Sequence, residues 1–481
     1  GGNTLTVTNI ETVTGGAGDD LVTLGAAVTA AVIDLAGGTG DSLTLGDFVN
    51  TLTVSNVETL VGGASADTVT LGSAITSGTL DLGAGADRLT LANAVNTLTI
   101  TNIETVTGGS SADVVTLGAA VTAGVVNLGG GADTLNLGDF ASTLTVSAVE
   151  TIVGGASDDV VTLGAAMTGS IDLGGGTGDT LNLGNFASTL TLSNIETING
   201  GSSNDVLTLS SAITSGTINL AGGTDTLNLG GAGNTVTLSN IETVTGSTGD
   251  DLITLGAAIT TGTINLAGGT GDSLTLGDFV NTLTVSNVET LVGGASSDTV
   301  TLGTAITSGT LDLGAGADRV TLANALNTLT ITNIETVTGG SSADVVTLGA
   351  AVTAGVVNLG GGADTLNLGD FASTLTVSNI ETITGGASDD TLVFGAAVTG
   401  GTVDLAGGTG DKVTLGAFNN TVTLTNVETI VGGASGDVVT LGSVITTGTL
   451  DLGAGSDRLT LAAGGNTLTV TNIETVTGGA G

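Results

Sequence analysis

The sequence predicts an all-β chain wound into a parallel β-solenoid, or β-helix, and three observations carry that prediction. The first is period. A glutamate in an Asn-Ile/Val-Glu-Thr motif recurs at Glu11, Glu58, Glu104, Glu150 (where Ala148 replaces the Asn) and on to Glu474. The spacings are roughly 46 to 47 residues, and self-similarity at such a period marks a repeat architecture. The second is alternation. Runs such as Leu43-Thr44-Leu45 and Thr4-Leu5-Thr6-Val7-Thr8 place apolar residues at every other position, as a strand with one buried face does. The third is punctuation. Glycine-rich turns ending in aspartate, as in Gly15-Gly16-Ala17-Gly18-Asp19-Asp20 before Leu21-Val22-Thr23-Leu24, separate the strands.

Taken in order, the corner aspartates divide each repeat into two coils, Asp20 to Asp41 and Asp41 to Asp67 in the first. The shorter and the longer coil alternate, average about 23 residues and number about twenty in all, within the range of solenoid repeat units. Three short strands per coil are expected, in a triangular cross-section, with a flattened two-sheet roll as the alternative. At about 4.8 Å per coil the rod would be roughly 95 Å long. One coil cannot bury its Leu and Val alone; stacking buries them in a ladder, with Leu43 and Leu45 inward and Thr44 outward. No linker or composition shift interrupts the series, so residues 1–481 read as one continuous solenoid of ten repeats. Residues 101–147 recur as 332–378, and residues 2–18 recur as 465–481, which reads as a window from a longer array.

Composition narrows the function. There is no Cys, His, Pro, Trp or Tyr, and only seven Phe and one Met, so neither an aromatic core nor a disulfide framework is available. Hydrophobic residues still make up 40% of the chain, too many for a disordered Gly-rich polymer. Forty-five acidic residues face Arg88, Arg319, Lys412 and Arg458, a net charge of −41. Nucleic acid and anionic membranes are poor partners for such a surface, and no apolar run is long enough to span a bilayer. With no His or Cys and a single Lys, nucleophile–base chemistry lacks its parts, and the chain reads as not an enzyme.

The corner Gly15-Gly16-x-Gly18-x-Asp20-x-Val22 resembles the calcium-binding nonapeptide of the RTX, or hemolysin-type, repeat proteins, which include large repetitive bacterial surface adhesin and fibre proteins. The resemblance touches every coil and makes these RTX-like Gly/Asp corners. It implies Ca²⁺ held between coils by glycine carbonyls and by the carboxylates of Asp20, Asp41, Asp67, Asp87, Asp113, Asp133, Asp159, Asp179, Asp205, Asp225, Asp251, Asp272, Asp298, Asp318, Asp344, Asp364, Asp390, Asp411, Asp437 and Asp457. Hard oxygen donors suit that ion. One aspartate per coil puts these carboxylates along a single edge. The alternative is an aspartate that caps its own turn through backbone N–H groups. Carboxylates stacked about 4.8 Å apart repel by roughly 1 kcal/mol even at water's dielectric, which favours cation association.

Two other series stand out. On the third strand Glu11 and Asp34 lie one average coil apart, as do Glu58 and Asp81, a stacking that would bring carboxylates together. The bland reading, that the stacking carries no chemistry, is preferred because Asn127 and Asn219 are among the Asn residues that replace half the partners. Threonine rows resemble those of ice-binding solenoids, but Ala-Ala-Val-Thr segments are expected to break them, and Thr is a good strand former in any case. The expected function is an extracellular, cell-surface structural protein: a fibre, sheath or adhesin stalk rigidified by calcium. Its partners would be itself, end-to-end or laterally, and divalent cations. The alternatives are an ice- or glycan-binding solenoid and a passive spacer presenting a separate binding domain.

Overall fold

A computed structural model describes residues 1–479. It falls into two compact units, Gly1–Thr243 and Val244–Gly481. Each is a parallel β-solenoid. Among the described residues there is no helix, and hence none long and apolar enough to cross a membrane.

The first repeat supplies five strands: β1 (Thr4–Val7), β2 (Thr12–Thr14), β3 (Leu21–Leu24), β4 (Thr29–Asp34) and β5 (Ser42–Thr44). The second supplies five more: β6 (Thr51–Ser55), β7 (Thr59–Gly63), β8 (Thr68–Leu71), β9 (Thr79–Gly83) and β10 (Arg88–Thr90). The third opens with β11 (Thr97–Thr101). Each strand pairs in parallel with the next but one, β1 with β3 and β2 with β4, so a turn holds two strands and the strands form two sheets. Thr6 is in register with Thr23, Thr23 with Thr44, and Leu60 with Leu80.

The expected three-strand coil is therefore corrected. The solenoid stands, but its cross-section is the flattened two-sheet form, and its turns are shorter and more numerous than the corner spacing implied. The short Asn-Val-Glu-Thr segment explains the difference. Asn56 sits at φ 52°, the left-handed region that Asn tolerates, and the chain reverses there between β6 and β7. That bend lets Val57 and Leu60 both face inward, each at most 2% exposed, which a straight strand would forbid.

Five strands per repeat and two per turn have a geometric consequence. The Thr-Leu-Thr motif of β1 lies in one sheet, that of β6 in the other, and that of β11 in the first again. Successive repeats are thus related by a half turn. The core is an aliphatic ladder: Val22, Leu43 and Leu60 stack in register from one sheet, and Val69, Leu89 and Val106 from the other, all essentially fully buried. Burying each such side chain contributes about 1.5–3 kcal/mol. The same Leu/Val pattern supplies the ladder throughout the second unit, as at Leu274, Leu291 and Leu311.

Candidate functional site

The turns that join the strands lie alternately on two edges, and both edges carry aspartates. Asp20 (between β2 and β3) and Asp41 (between β4 and β5) are on one edge; Asp67 (between β7 and β8) and Asp87 (between β9 and β10) are on the other. The single acidic edge expected from the sequence is replaced by two, because an odd number of strands per repeat switches the edge each time. All twenty corner aspartates are buried, at most 3% exposed.

Their side chains run along the stack. On one edge the Val28 N–H donates to Asn50 Oδ1 (3.1 Å), the Asn50 N–H to Asp67 Oδ1 (2.9 Å), the Asp67 N–H to Asp87 Oδ1 (2.6 Å), and the Asp87 N–H to Glu104 Oε2 (2.8 Å). The cycle of aliphatic, Asn or Ser, Asp, Asp and Glu takes five turns. It recurs in the second unit from Ile259 through Asn281, Asp298 and Asp318 to Glu335. Each aspartate thus usually satisfies a backbone N–H on the neighbouring turn; only some, such as Asp20 with the Gly16 N–H, also cap their own.

The glutamates are placed differently from the expectation. Glu58 does not stack on Asp81; its carboxylate accepts the Asp41 N–H at 2.9 Å. The constant 17-residue offset from Asp41 to Glu58, Asp87 to Glu104 and Asp318 to Glu335 was present in the sequence as a signal for this partnership. It is invisible while each coil is taken to hold three strands.

One oxygen of nearly every corner aspartate has no partner. The Oδ2 atoms of seventeen of them, among them Asp41, Asp67, Asp87, Asp179 and Asp411, are buried without a hydrogen bond. A buried carboxylate oxygen left unpaired is costly. Burial, reinforced by Glu104, Asp67 and Asp81, pushes the Asp87 carboxyl up to about 6 against the opposing pull of the Asp67 N–H. Asp225 and Asp318 are likewise raised to about 6, by burial first and then by their stack neighbours. Asp20 departs from this pattern: hydrogen bonds from the Gly16 N–H and then from Asn3 lower it.

At four corners a second carboxylate joins the first. Asp19 Oδ1 accepts the Thr39 and Gly40 N–H groups of the next turn at 2.9 and 3.2 Å. A methyl placed on Gly38 would lie 2.8 Å from Asp19 Oδ1 and 2.8 Å from the unpaired Asp41 Oδ2, so the two oxygens are at most twice that distance apart. The same arrangement joins Asp158 to Asp179 around Gly176, Asp250 to Asp272 around Gly269, and Asp389 to Asp411 around Gly408. The remaining corners hold Ala66, Ala112, Ala343, Asn204, Ser297 or Gly436 where these have the extra Asp. Sequence reasoning named the second aspartate of each pair and missed Asp19, Asp158, Asp250 and Asp389, although the Asp-Asp dipeptide was their signal.

The donor set at these four corners fits a hard divalent cation: two carboxylates from successive turns in a Gly-Thr-Gly-Asp turn, with a free buried oxygen on Asp41, Asp179 and Asp411, while Asp272 Oδ2 accepts the Gly269 N–H at 3.2 Å. Elsewhere the fit is poorer. A singly acidic corner offers one unpaired oxygen alone, and among the described residues, the four paired corners included, no group of three or more acidic side chains converges on one point. No protein-family model matches the chain, and no curated protein matches it.

Proposed function

We propose that this chain is an extracellular structural repeat protein, a fibre, sheath or adhesin stalk of the cell surface, whose turns are tied together by calcium at its acidic corners. The observation that carries the reading is the pairing of carboxylates from successive turns at Asp19/Asp41, Asp158/Asp179, Asp250/Asp272 and Asp389/Asp411 around a glycine. A cation shared there would cancel the repulsion of two carboxylates and hold one turn to the next. The other corner aspartates serve chiefly as backbone acceptors along the stack.

The role is mechanical and non-catalytic. Stacked turns bury a continuous aliphatic ladder, and function scales with the number of turns. Calcium, when bound, would supply positive charge and a centre that accepts oxygen ligands from both carboxylates. The chain's own residues position the carboxylates and keep them close to the backbone. Copies of the same chain, joined end-to-end or laterally, are the natural partners of such an element.

Equilibrium calcium titration followed by circular dichroism and thermal melting tests this. Saturation at about four ions with a raised melting temperature is expected, and loss of that stabilisation in the combined Asp19→Asn, Asp158→Asn, Asp250→Asn and Asp389→Asn variant. A spectrum and melt unchanged by chelation would overturn the calcium role.

A further inference from the structure

We infer that the outer faces of the sheets carry binding troughs for a neutral, extended polysaccharide laid along the direction of turn stacking, one sugar to each turn. This goes beyond the structural reading.

Three concavities support it. In the first unit one trough of about 500 Å³ lies over the sheet containing β7, β9 and β11, lined by Glu58, Thr59, Thr79, Thr99 and Thr116. A second, of about 630 Å³, is lined by Glu196, Thr197, Thr217 and Thr237 and lies on the opposite sheet, as the half-turn relation of the repeats requires. In the second unit Glu289, Thr290, Thr310, Thr330 and Thr347 line another of about 440 Å³. Each starts at the short Glu-Thr corner, where the chain reverses sharply and leaves a dip. The Ile-Thr-Ser-Gly-Thr turns at Thr76-Ser77, Thr214-Ser215 and Thr307-Ser308 wall it.

The floor of each trough is a ladder in register. Thr59 pairs with Thr79, Thr79 with Thr99 and Thr99 with Thr116. In the second unit Thr290 pairs with Thr310, Thr310 with Thr330 and Thr330 with Thr347. The Ala-Ala-Val-Thr segments expected to interrupt such rows fall largely in turns; Ala26 to Val28 lie between β3 and β4. Hydroxyls on successive turns are therefore spaced by the inter-strand distance, about 4.8 Å. That spacing is close to the length of one pyranose in an extended β-linked chain, so each sugar meets the same donor–acceptor hydroxyl as the one before it.

The trough's chemistry selects the ligand. Its lining is hydroxyl and backbone with one carboxylate and no aromatic ring, which suits hydrogen bonding to sugar hydroxyls. The net charge of −41 rejects anionic polysaccharides. A concave floor with a Glu at one end does not match a flat ice plane, so a glycan is the better occupant.

The test is isothermal titration of the full chain with cello- and chito-oligosaccharides of two to eight sugars, with oligogalacturonate as the anionic control. Affinity should rise with length up to four or five sugars and then level, because the ladder has four threonine rungs at most. The Thr79→Val, Thr217→Val and Thr310→Val variant removes one hydroxyl per trough while keeping β-branching. It should bind at least tenfold more weakly with an unchanged circular dichroism spectrum and unchanged calcium titration. Absence of hexaose binding at millimolar ligand, equal binding by the folded variant, tighter binding of oligogalacturonate, or thermal hysteresis in place of sugar binding would each overturn the inference.

Discussion

Two corners of the first unit, Asp41 and Asp87, occupy the same place in their repeats and do different work. Both are fully buried and both precede a short strand, Ser42-Leu43-Thr44 and Arg88-Leu89-Thr90. Both accept the N–H of the corner before them at 2.6 Å and donate their own N–H to a glutamate 17 residues on. They differ in the residue facing them from the previous turn, Asp19 in one case and Ala66 in the other. The comparison separates two roles that a corner motif conflates. The hydrogen-bond stack belongs to the architecture and is present at both; the second carboxylate on which the proposed cation site rests is present at one.

The largest expected effect tests what the corners share. Leu43→Ala and Leu89→Ala each empty the ladder beside one corner, where both leucines are at most 1% exposed, and should cost about 2–5 kcal/mol. Local hydrogen exchange is the right measure, since stacked repeats need not unfold in one step. A large disparity between the two would show that the corners are not backed by equivalent cores.

Calcium should then divide them. Chelation is expected to speed amide exchange about tenfold, or about 1.4 kcal/mol, across residues 38–41 while leaving 84–87 unchanged. Equal acceleration at both corners would assign cation binding to every aspartate and erase the distinction.

Proton binding tests the burial that both kinds of corner share, since Asp179 and Asp411 at paired corners are also raised to about 6. Asp87, Asp225 and Asp318 are raised from 3.8 to about 6, chiefly by burial. Each therefore binds its proton more tightly folded than unfolded. Its favourable contribution is complete below about pH 3.8 and is lost as pH rises through about 6. In chelator, melting temperature should fall across that window and level above it. A melting temperature that rises from pH 4 to 6 would contradict the burial of these carboxyls.

The smallest effect concerns the charge itself. Asp87→Asn removes a buried charge whose Oδ2 has no partner and should stabilise the chelated protein at pH 8 by about 1 kcal/mol. Asp41→Asn should instead lower the melting temperature in calcium. Thermal melts of both variants with and without the ion decide this, and a like response from both would reject the division of labour.

Much of the fold was legible residue by residue. The alternation in Leu43-Thr44-Leu45 placed both leucines inside, and both are fully buried with Thr44 half-exposed. The corner aspartates were found individually, since Gly-rich turns ending in Asp are local signals. Their environment was not legible. Asp67 and Asp87 were expected along one acidic edge as ion ligands; that each is a buried acceptor follows from the N–H of a residue 17 to 20 positions earlier. The partner of Glu104 was not legible for the same reason: the Asp87 N–H becomes its neighbour only once the turn closes.

Period and strand content thus belong to the sequence by itself: alternation needs only the two-residue repeat of an extended chain, and repetition needs only comparison of the chain with itself. Turn closure belongs to the tertiary structure. A repeat of five strands is compatible with more than one number of strands per turn, and only the pairing of β1 with β3 and β2 with β4 sets it at two. From that one choice follow the half-turn relation of repeats, the two acidic edges, the union of Asp19 with Asp41, and the threonine ladders. Each joins residues that are distant along the chain and adjacent only after stacking.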